Sequence, residues 1–315
     1  MIEVGILLPT RESVMNGRPA VAPMLALGEQ AEGLGFSSVW VGDSLTARPR
    51  HEPLTLLAAM AARTRRVTLG TAVLLPALRH PLVLAHLVAT VDRISEGRLV
   101  LGVGIAGDTP AIRKEFEGAG VPFRQRAGRC IETLDICRAL WTGDSVSFQG
   151  RYWTLDGLAV GPTPHRPGGP LIWWGGGGPT ALREAARSHG WFPIDPRPEV
   201  FEDGWRRVQS AARDAGRSPQ DLTAALYTTI ALGEPARAQA ELEQFLSTYY
   251  NAPAAAMLKR QACYAGAADG CLEWMARFVE RGVRHILIRF AGAAEQPVQL
   301  ERAARELLPS LSRLG

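Results

Sequence analysis

Apolar positions along this chain follow two alternating periods. Short apolar runs, the length of a buried strand, give way to longer stretches where apolar residues return every three or four positions. Residues 67–108 show the unit most clearly: VTLGTAVLLP, then ALRHPLVLAHLVATVDRISEGR, then LVLGVGIAGD. The outer blocks read as strands buried on both faces. The middle block carries Val83, Leu87, Val91 and Ile94 at the spacing of an amphipathic helix, with Pro81 at its start and Gly97 past its end. Strand, helix and strand in this order make a right-handed crossover with parallel pairing. Both strands finish in short side chains, Gly70-Thr71-Ala72 and Gly102-Val103-Gly104, where something flat and large could approach the backbone.

The same unit recurs along the chain. The pattern predicts strands at 3–8, 37–41, 67–75, 98–105, 171–174, 191–194, 222–232 and 283–290. It predicts helices at 22–34, 53–63, 82–94, 127–141, 179–189, 198–215, 235–246, 270–281 and 297–311. In the last of these Leu300, Ala303, Ala304, Leu307, Leu308 and Leu311 form one face. Eight strands with interleaved helices favour a single α/β domain over residues 1–315, a closed (β/α)8 TIM barrel, with an open doubly wound sheet as the alternative. No G-x-G-x-x-G follows the first strand, which counts against a dinucleotide-binding start. Three segments interrupt the alternation: 107–126 after the fourth strand, 143–169 before the fifth and 248–268 after the seventh helix. The second contains VSFQGRYWTLDG, the pattern of a hairpin. Long insertions in a barrel often build the substrate pocket or an interface.

Composition narrows the class. The chain has 315 residues, 46% of them hydrophobic, enough for a large core. No stretch is long and apolar enough to span a bilayer, and no charged leader precedes the first strand, so a cytoplasmic protein is expected. Net charge is +4. The arginines are dispersed, which gives no footprint for nucleic acid, and the richness in Ala, Arg and Gly hints at a GC-rich bacterial genome. Cys130, Cys137, Cys263 and Cys271 form no CxxC pair and read as reduced thiols, the first two on one helical face. His80 and His86 lie six apart, off a common helical face, and no metal site is expected.

The strongest chemical signal is Leu171-Ile172-Trp173-Trp174-Gly175-Gly176-Gly177-Gly178-Pro179. A strand runs into four glycines and then into Pro at a helix start. Bare backbone amides and a helix N-terminus together make an anion site fit for a phosphate. Trp173 and Trp174 alternate on their strand and cannot both face one side.

With that segment the chain resembles the luciferase-like oxidoreductases, the family of bacterial luciferase, alkanesulfonate monooxygenase and the deazaflavin-dependent reductases. The matching residues are IEVGILLP, AEGLGFSSVWVGDS, the 69–108 block, PLIWWGGGGPTALREAARSHGW and GVRHILIR. The resemblance implies a barrel binding FMN or the 8-hydroxy-5-deazaflavin of coenzyme F-420 at the carboxyl ends of its strands. It implies that Thr71, Ala72 and Val73 lie behind the ring, with a non-proline cis peptide at Ala72–Val73. Gly175, Gly176, Gly177 and Gly178 match the phosphate loop. Ile105, Ala106 and Gly107 match the segment beside the ring and ribityl chain, and Asp43 the acidic position at the ring's polar edge. A homodimer is implied, and a small-molecule substrate.

The sequence also departs from the family pattern. The His that several deazaflavin enzymes carry after the acidic residue is here Ser44. The Glu that some carry after the fourth strand is Gly107, followed by Asp108. Ala-Asp-Gly-Trp is replaced by Ser188-His189-Gly190-Trp191. His51 and His80 are the remaining candidates for proton transfer near a ring, each also readable as a helix-entry or packing residue. Arg48, Arg50 and Arg79 are candidates to attract an anionic substrate or cofactor tail, and Tyr152 and Trp153 fit a structural place on the hairpin. Three functions are open on these residues. The first is deazaflavin-dependent hydride transfer to or from a small organic substrate. The second is FMN-dependent monooxygenation, with the flavin reduced by a partner flavin reductase or arriving as diffusing reduced flavin; a flavin or deazaflavin reductase is the candidate partner. The third is flavin binding without turnover.

Overall fold

The computed structural model describes residues 1–292 and 296–314. The strands are β1 (Glu3–Leu7), β2 (Ser38–Val41), β3 (Thr68–Thr71), β4 (Leu99–Val103), β5 (Val146–Gln149), β6 (Thr154–Leu158), β7 (Leu171–Gly175), β8 (Gly190–Phe192), β9 (Thr223–Leu232), β10 (Cys263–Gly266) and β11 (His285–Phe290). The main sheet runs β10-β9-β11-β1-β2-β3-β4-β7-β8, and β8 pairs back onto β9. Eight strands therefore close into a (β/α)8 barrel, the fold the alternating pattern predicts. The ten-residue β9 makes room for β10. Thr223 and Ala224 pair with β8, and Thr229 to Leu232 pair with β10.

Prolines mark most helix starts, because Pro supplies the helical φ and lacks an amide that would have no partner there. Helices begin at Pro53, Pro81, Pro110, Pro179, Pro198 and Pro235. Three insertions stand where the alternation breaks. The first holds the helix Pro110–Gly118, the second the antiparallel hairpin β5–β6, and the third the short helix Ala254–Leu258 followed by β10. The helix Thr10–Met15 and β10 are additions to the expected pattern. The closing helix is broken into Gln296–Glu306 and Leu308–Leu311, because Pro309 cannot donate within a continuous helix. Its apolar face is nonetheless packed, with Leu300, Ala303, Leu307 and Leu311 fully buried.

The chain forms two compact units, Met1–Trp40 with Trp173–Gly315, and Val41–Ile172. In the second, the helix Pro81–Ile94 packs a face other than the spacing suggests. Val83, Leu87 and Ile94 are 54%, 40% and 44% exposed, while Leu84, Ala85, Val88, Ala89 and Val91 are buried. Two stripes share the helical period. The alanine-containing one allows the closer approach to the helices Pro53–Arg63 and Arg126–Leu140. Cys130 and Cys137 share the buried face of Arg126–Leu140.

In the first unit an aromatic cluster fills the sheet's inner layer. Trp40, Trp173 and His285 lie with ring centroids 5.2 to 5.7 Å apart. Ser38 joins them, its hydroxyl 2.7 Å from His285 Nε2 and from the Trp40 indole nitrogen. Trp174 faces the other way, donating to the Ser188 hydroxyl at 3.1 Å. Gly190 belongs to this packing: a Cβ there would lie 2.6 Å from the Trp173 ring. Gly190→Ala is expected to lower the unfolding free energy by about 1–3 kcal/mol through overpacking. Urea denaturation followed by far-UV circular dichroism reads the loss, and an unchanged midpoint would show that Trp173 is free to move.

Candidate active site

In the unit Val41–Ile172, strand ends carry most of the predicted ring-side residues. Strand β3 stops at Thr71, short of the expected Leu75. Ala72 then donates to the Val41 carbonyl at 2.7 Å, and the peptide Ala72–Val73 is cis, as the family resemblance implies. The chain returns to β4 at once. Leu74 donates to the Gly102 carbonyl at 2.7 Å, and Gly104 donates to the Leu74 carbonyl at 3.0 Å. The Thr71 hydroxyl donates to the same Gly102 carbonyl at 2.8 Å. A Cβ on Gly104 would sit 2.8 Å from Val73 Cγ2, so this glycine is needed where β4 passes Val73. Ala72, Val73, Ile105 and Ala106 are half-buried, Gly107 is exposed, and Ala106 takes a left-handed backbone with φ of 59°.

Asp43 sits just beyond β2 and is committed to the protein. Its Oδ2 accepts from the Leu75 amide at 2.9 Å and from Arg79 Nη1 at 2.5 Å, and its Oδ1 accepts from Arg79 Nη2 at 3.2 Å. Arg79 Nη2 also donates to Glu52 Oε1 at 3.0 Å. Burial opposes the charge on Arg79, but Asp43 and then Glu52 outweigh it and raise its pKa. Burial likewise opposes the charge on Glu52. The Thr55 amide, which Glu52 caps at a helix start, and Arg79 hold its carboxyl below the usual range. Asp43 thus braces the segment after the cis peptide. Arg79, a candidate for anion attraction, is its ion-pair partner.

Ser44, the residue in place of the family His, is held just as firmly. Its hydroxyl donates to Glu115 Oε1 at 2.7 Å and accepts from the Arg48 amide at 2.9 Å. The same Glu115 oxygen accepts from the amides of Leu45, Thr46 and Ala47 at 2.6, 2.8 and 3.1 Å. A buried carboxylate from the first insertion therefore fills an anion nest in the loop after β2. Arg50 turns back to donate to the Arg48 carbonyl at 3.2 Å. His80 is the N-cap of Pro81–Ile94, its Nδ1 accepting from the Leu82 amide at 3.3 Å. Its ring meets Trp153 edge-on at 4.7 Å, which gives that hairpin Trp a packing role. His51 is half-buried just before the helix Pro53–Arg63.

In the other unit the glycine segment takes the expected form. Strand β7 ends at Gly175, Gly176 has φ of 102°, and Gly178 is the N-cap of Pro179–Ala186 without a side-chain cap bond. The first helical bond runs from the Leu182 amide to the Gly178 carbonyl at 3.1 Å, so the amides of Thr180 and Ala181 precede it. A Cβ on Gly177 or Gly178 would meet nothing within 4 Å, which leaves the cradle open. Trp191 fixes its base by donating to the Gly176 carbonyl at 2.7 Å. Beside Gly177 lies a cavity of about 300 Å³ walled by Trp191, Asp195, Asp203, Arg207 and Arg260. An uncapped N-terminus with bare amides fits a phosphate.

The cysteines are not nucleophile candidates. Burial pushes the Cys271 thiol up to about 12 and Cys263 up to about 11, Arg289 and Thr229 offsetting only part of the latter. Long-range pairs carried by Glu115 and Arg79 were not visible in local periodicity. The one sequence signal for them is a charged residue at a position whose helical neighbours are apolar. Arg79→Met is expected to cost about 3–5 kcal/mol, because it strands the Asp43 carboxylate in a site where its side chain is 1% exposed. Adding Asp43→Asn should recover part of that loss. Strictly additive losses in the double-mutant cycle would show that the two groups are uncoupled.

Comparison with known proteins identifies the family. Residues 2–285 match the family model described as luciferase-like monooxygenase. The F420-dependent glucose-6-phosphate dehydrogenase of Nocardia farcinica is 29% identical over 313 residues, covering 90% of this chain and 92% of that protein. A monooxygenase from Streptomyces bottropensis superposes with a TM-score of 0.82 at 24% identity, covering 98% of this chain and 99% of that one. The coenzyme F420-dependent tetrahydromethanopterin reductase of Methanopyrus kandleri superposes at 0.80 with 20% identity and the same coverage. With its parallel barrel, its cis peptide after β3 and its glycine strand end at β7, this chain belongs to the luciferase-like family of oxidoreductases.

Proposed function

We propose that this enzyme holds a deazaflavin and moves a hydride between it and a small organic substrate. The observation that carries the reading is likeness over nearly the full length to an F420-dependent dehydrogenase. The glycine cradle supports it from the structure, through open space above Gly177 and Gly178 and an uncapped helix start. Gly175 to Gly178 would take the cofactor's phosphate. Thr71, Ala72 and Val73 would back its ring, and Ile105, Ala106 and Gly107 would lie along the ribityl chain. When bound, a deazaflavin supplies hydride chemistry with little reactivity toward oxygen.

The chain's own residues set the stage for that transfer. The Asp43–Arg79 pair and the Glu115 nest brace the loops after β2 and β3, on which a bound ring would rest. Ser44 cannot replace the missing His as a proton donor while its hydroxyl proton lies on Glu115. His51 and His80 remain candidates for that task, the latter with Nδ1 engaged as a cap. The engaged Ser44 also favours a second reading, FMN-dependent monooxygenation with a partner flavin reductase, which needs no acid at that place. A cytoplasmic homodimer goes with either reading.

Titration of the purified protein with each oxidised cofactor, followed by ring absorbance, separates the readings. The deazaflavin is expected to bind at least about 10-fold more tightly than FMN, a difference of about 1.4 kcal/mol. Tighter FMN binding, with oxygen uptake on adding reduced FMN and substrate, would overturn the first reading in favour of the second. Gly177→Asp adds a negative charge at the cradle, at a position where a Cβ meets nothing within 4 Å. It is expected to weaken the deazaflavin by roughly 10-fold or more while leaving the melting temperature unchanged. Unaltered affinity in that variant would remove the phosphate assignment.

A further inference from the structure

The concave surface does not stop at the glycine cradle. The cavity of about 300 Å³ that begins at Gly177 continues as a groove along three further pieces of chain. The helix Pro198–Asp214 contributes Asp203 and Arg207, the segment after β8 contributes Ile194 and Asp195, and the third insertion contributes Arg260. The insertion is tied to the segment after β8, where the Ala262 amide donates to the Ile194 carbonyl at 2.8 Å. Cradle and groove belong to the same compact unit.

One aromatic residue underlies both. Trp191, whose indole holds the Gly176 carbonyl, also lines the groove. Its ring packs against Phe201 at 5.2 Å between centroids and stacks parallel to Trp205 at 6.4 Å. A Cβ on Gly204 would lie 2.5 Å from the same indole, so the helix is pressed onto it. The groove also leaves apolar surface in water, with Ile194 and Val200 41% and 37% exposed.

Its charges sort into matched and unmatched. Asp195 is matched, accepting from the Arg197 amide at 3.0 Å, from Nε at 2.9 Å and from Nη2 at 2.8 Å. Asp203, Arg207 and Arg260 are exposed, and among the described residues their side chains make no hydrogen bond or ion pair. Asp203 stands one helical turn before Arg207 without pairing to it. Two guanidinium groups, opposed by one carboxylate, thus line the groove with all their donors available. Guanidinium groups suit carboxylate and phosphate oxygens.

A phosphate that ended in the cradle would leave this groove to solvent. FMN ends in such a phosphate monoester. The deazaflavin coenzyme carries its phosphate as a diester, joined onward to an arm of carboxylates. We infer that the groove of Trp191, Arg207 and Arg260 is a second cofactor subsite, which takes an acidic arm attached beyond the phosphate and thereby selects deazaflavin over FMN. Arg207 and Arg260 donate to the arm's carboxylates, and its carbon chain lies along Ile194 and Val200. This rests on the deazaflavin reading of the chain, which it makes more specific.

Fluorescence titration of the full-length protein tests the subsite with three probes. They are the intact deazaflavin coenzyme, the same deazaflavin ending at its phosphate, and FMN. At low salt the intact coenzyme is expected to bind about 5-fold more tightly than the shortened form, as two exposed charge contacts allow. The preference should fade in roughly 0.5 M sodium chloride, where exposed charges are screened. Arg207→Gln and Arg260→Gln should each remove part of it, and the double variant all of it. In the double variant the shortened form and FMN should stay within about 2-fold of their original affinities, and the melting temperature should not move. Equal affinity for intact and shortened deazaflavin, a preference that survives the double substitution, or an equal loss of all three probes would overturn the inference. Binding of both deazaflavins without preference sinks the subsite alone. Failure of both to bind sinks the deazaflavin reading and the subsite with it.

Discussion

Parallel pairing of the strands is the constraint on which the chemistry depends. Parallel neighbours need a crossover each, and every crossover of one hand leaves the strands pointing the same way. The carboxyl ends of β1, β2, β3, β4, β7, β8, β9 and β11 consequently belong to one face of the barrel. The short segment leaving each strand then decides the capabilities of that face. After β3 the backbone turns through a cis peptide and re-engages β4 within three residues. After β7 four glycines leave the amides bare before a helix begins. Near the end of β11 a guanidinium is buried among tyrosines.

Polar groups at these ends serve two distinct purposes, and partners tell them apart. Asp43, Arg79, Ser44 and Glu115 are fully engaged with one another or with backbone amides. They hold loops in place, and each already has its hydrogen-bond partners inside the protein. Gly177 and Gly178 differ, because the backbone there lies against open space. A site for a ligand is better recognised by such remainders than by the mere presence of titratable side chains, since a group already satisfied has little free energy left for a ligand.

Much of the fold was legible in the residues because local signals agreed with the tertiary outcome. Proline set the starts of Pro53–Arg63, Pro198–Asp214 and Pro235–Tyr250, and apolar runs set β1, β2, β4, β7 and β11. The glycine run after β7 and the cis peptide after β3 were likewise legible, the latter through family resemblance. The helix Pro110–Gly118 escaped because PAIRKEFEG has too few apolar positions to show a period. In Pro81–Ile94 two stripes satisfy the helical spacing, and only packing chooses the one with alanines. The partners of Asp43 and Ser44 lie 36 and 71 residues away, beyond the reach of any local pattern. Arg289 did leave a mark, a charge inside the apolar run HILIRF.

The central claim is that the bare backbone after β7 grips the cofactor by its phosphate. Amide shift mapping of the isotopically labelled protein tests it most directly, comparing the intact deazaflavin cofactor with the same chromophore stripped of its phosphate. The account predicts that Gly176, Gly177, Gly178, Thr180 and Ala181 shift with the first ligand and stay still with the second. Identical shifts with both ligands, or shifts that bypass these five amides, would contradict it.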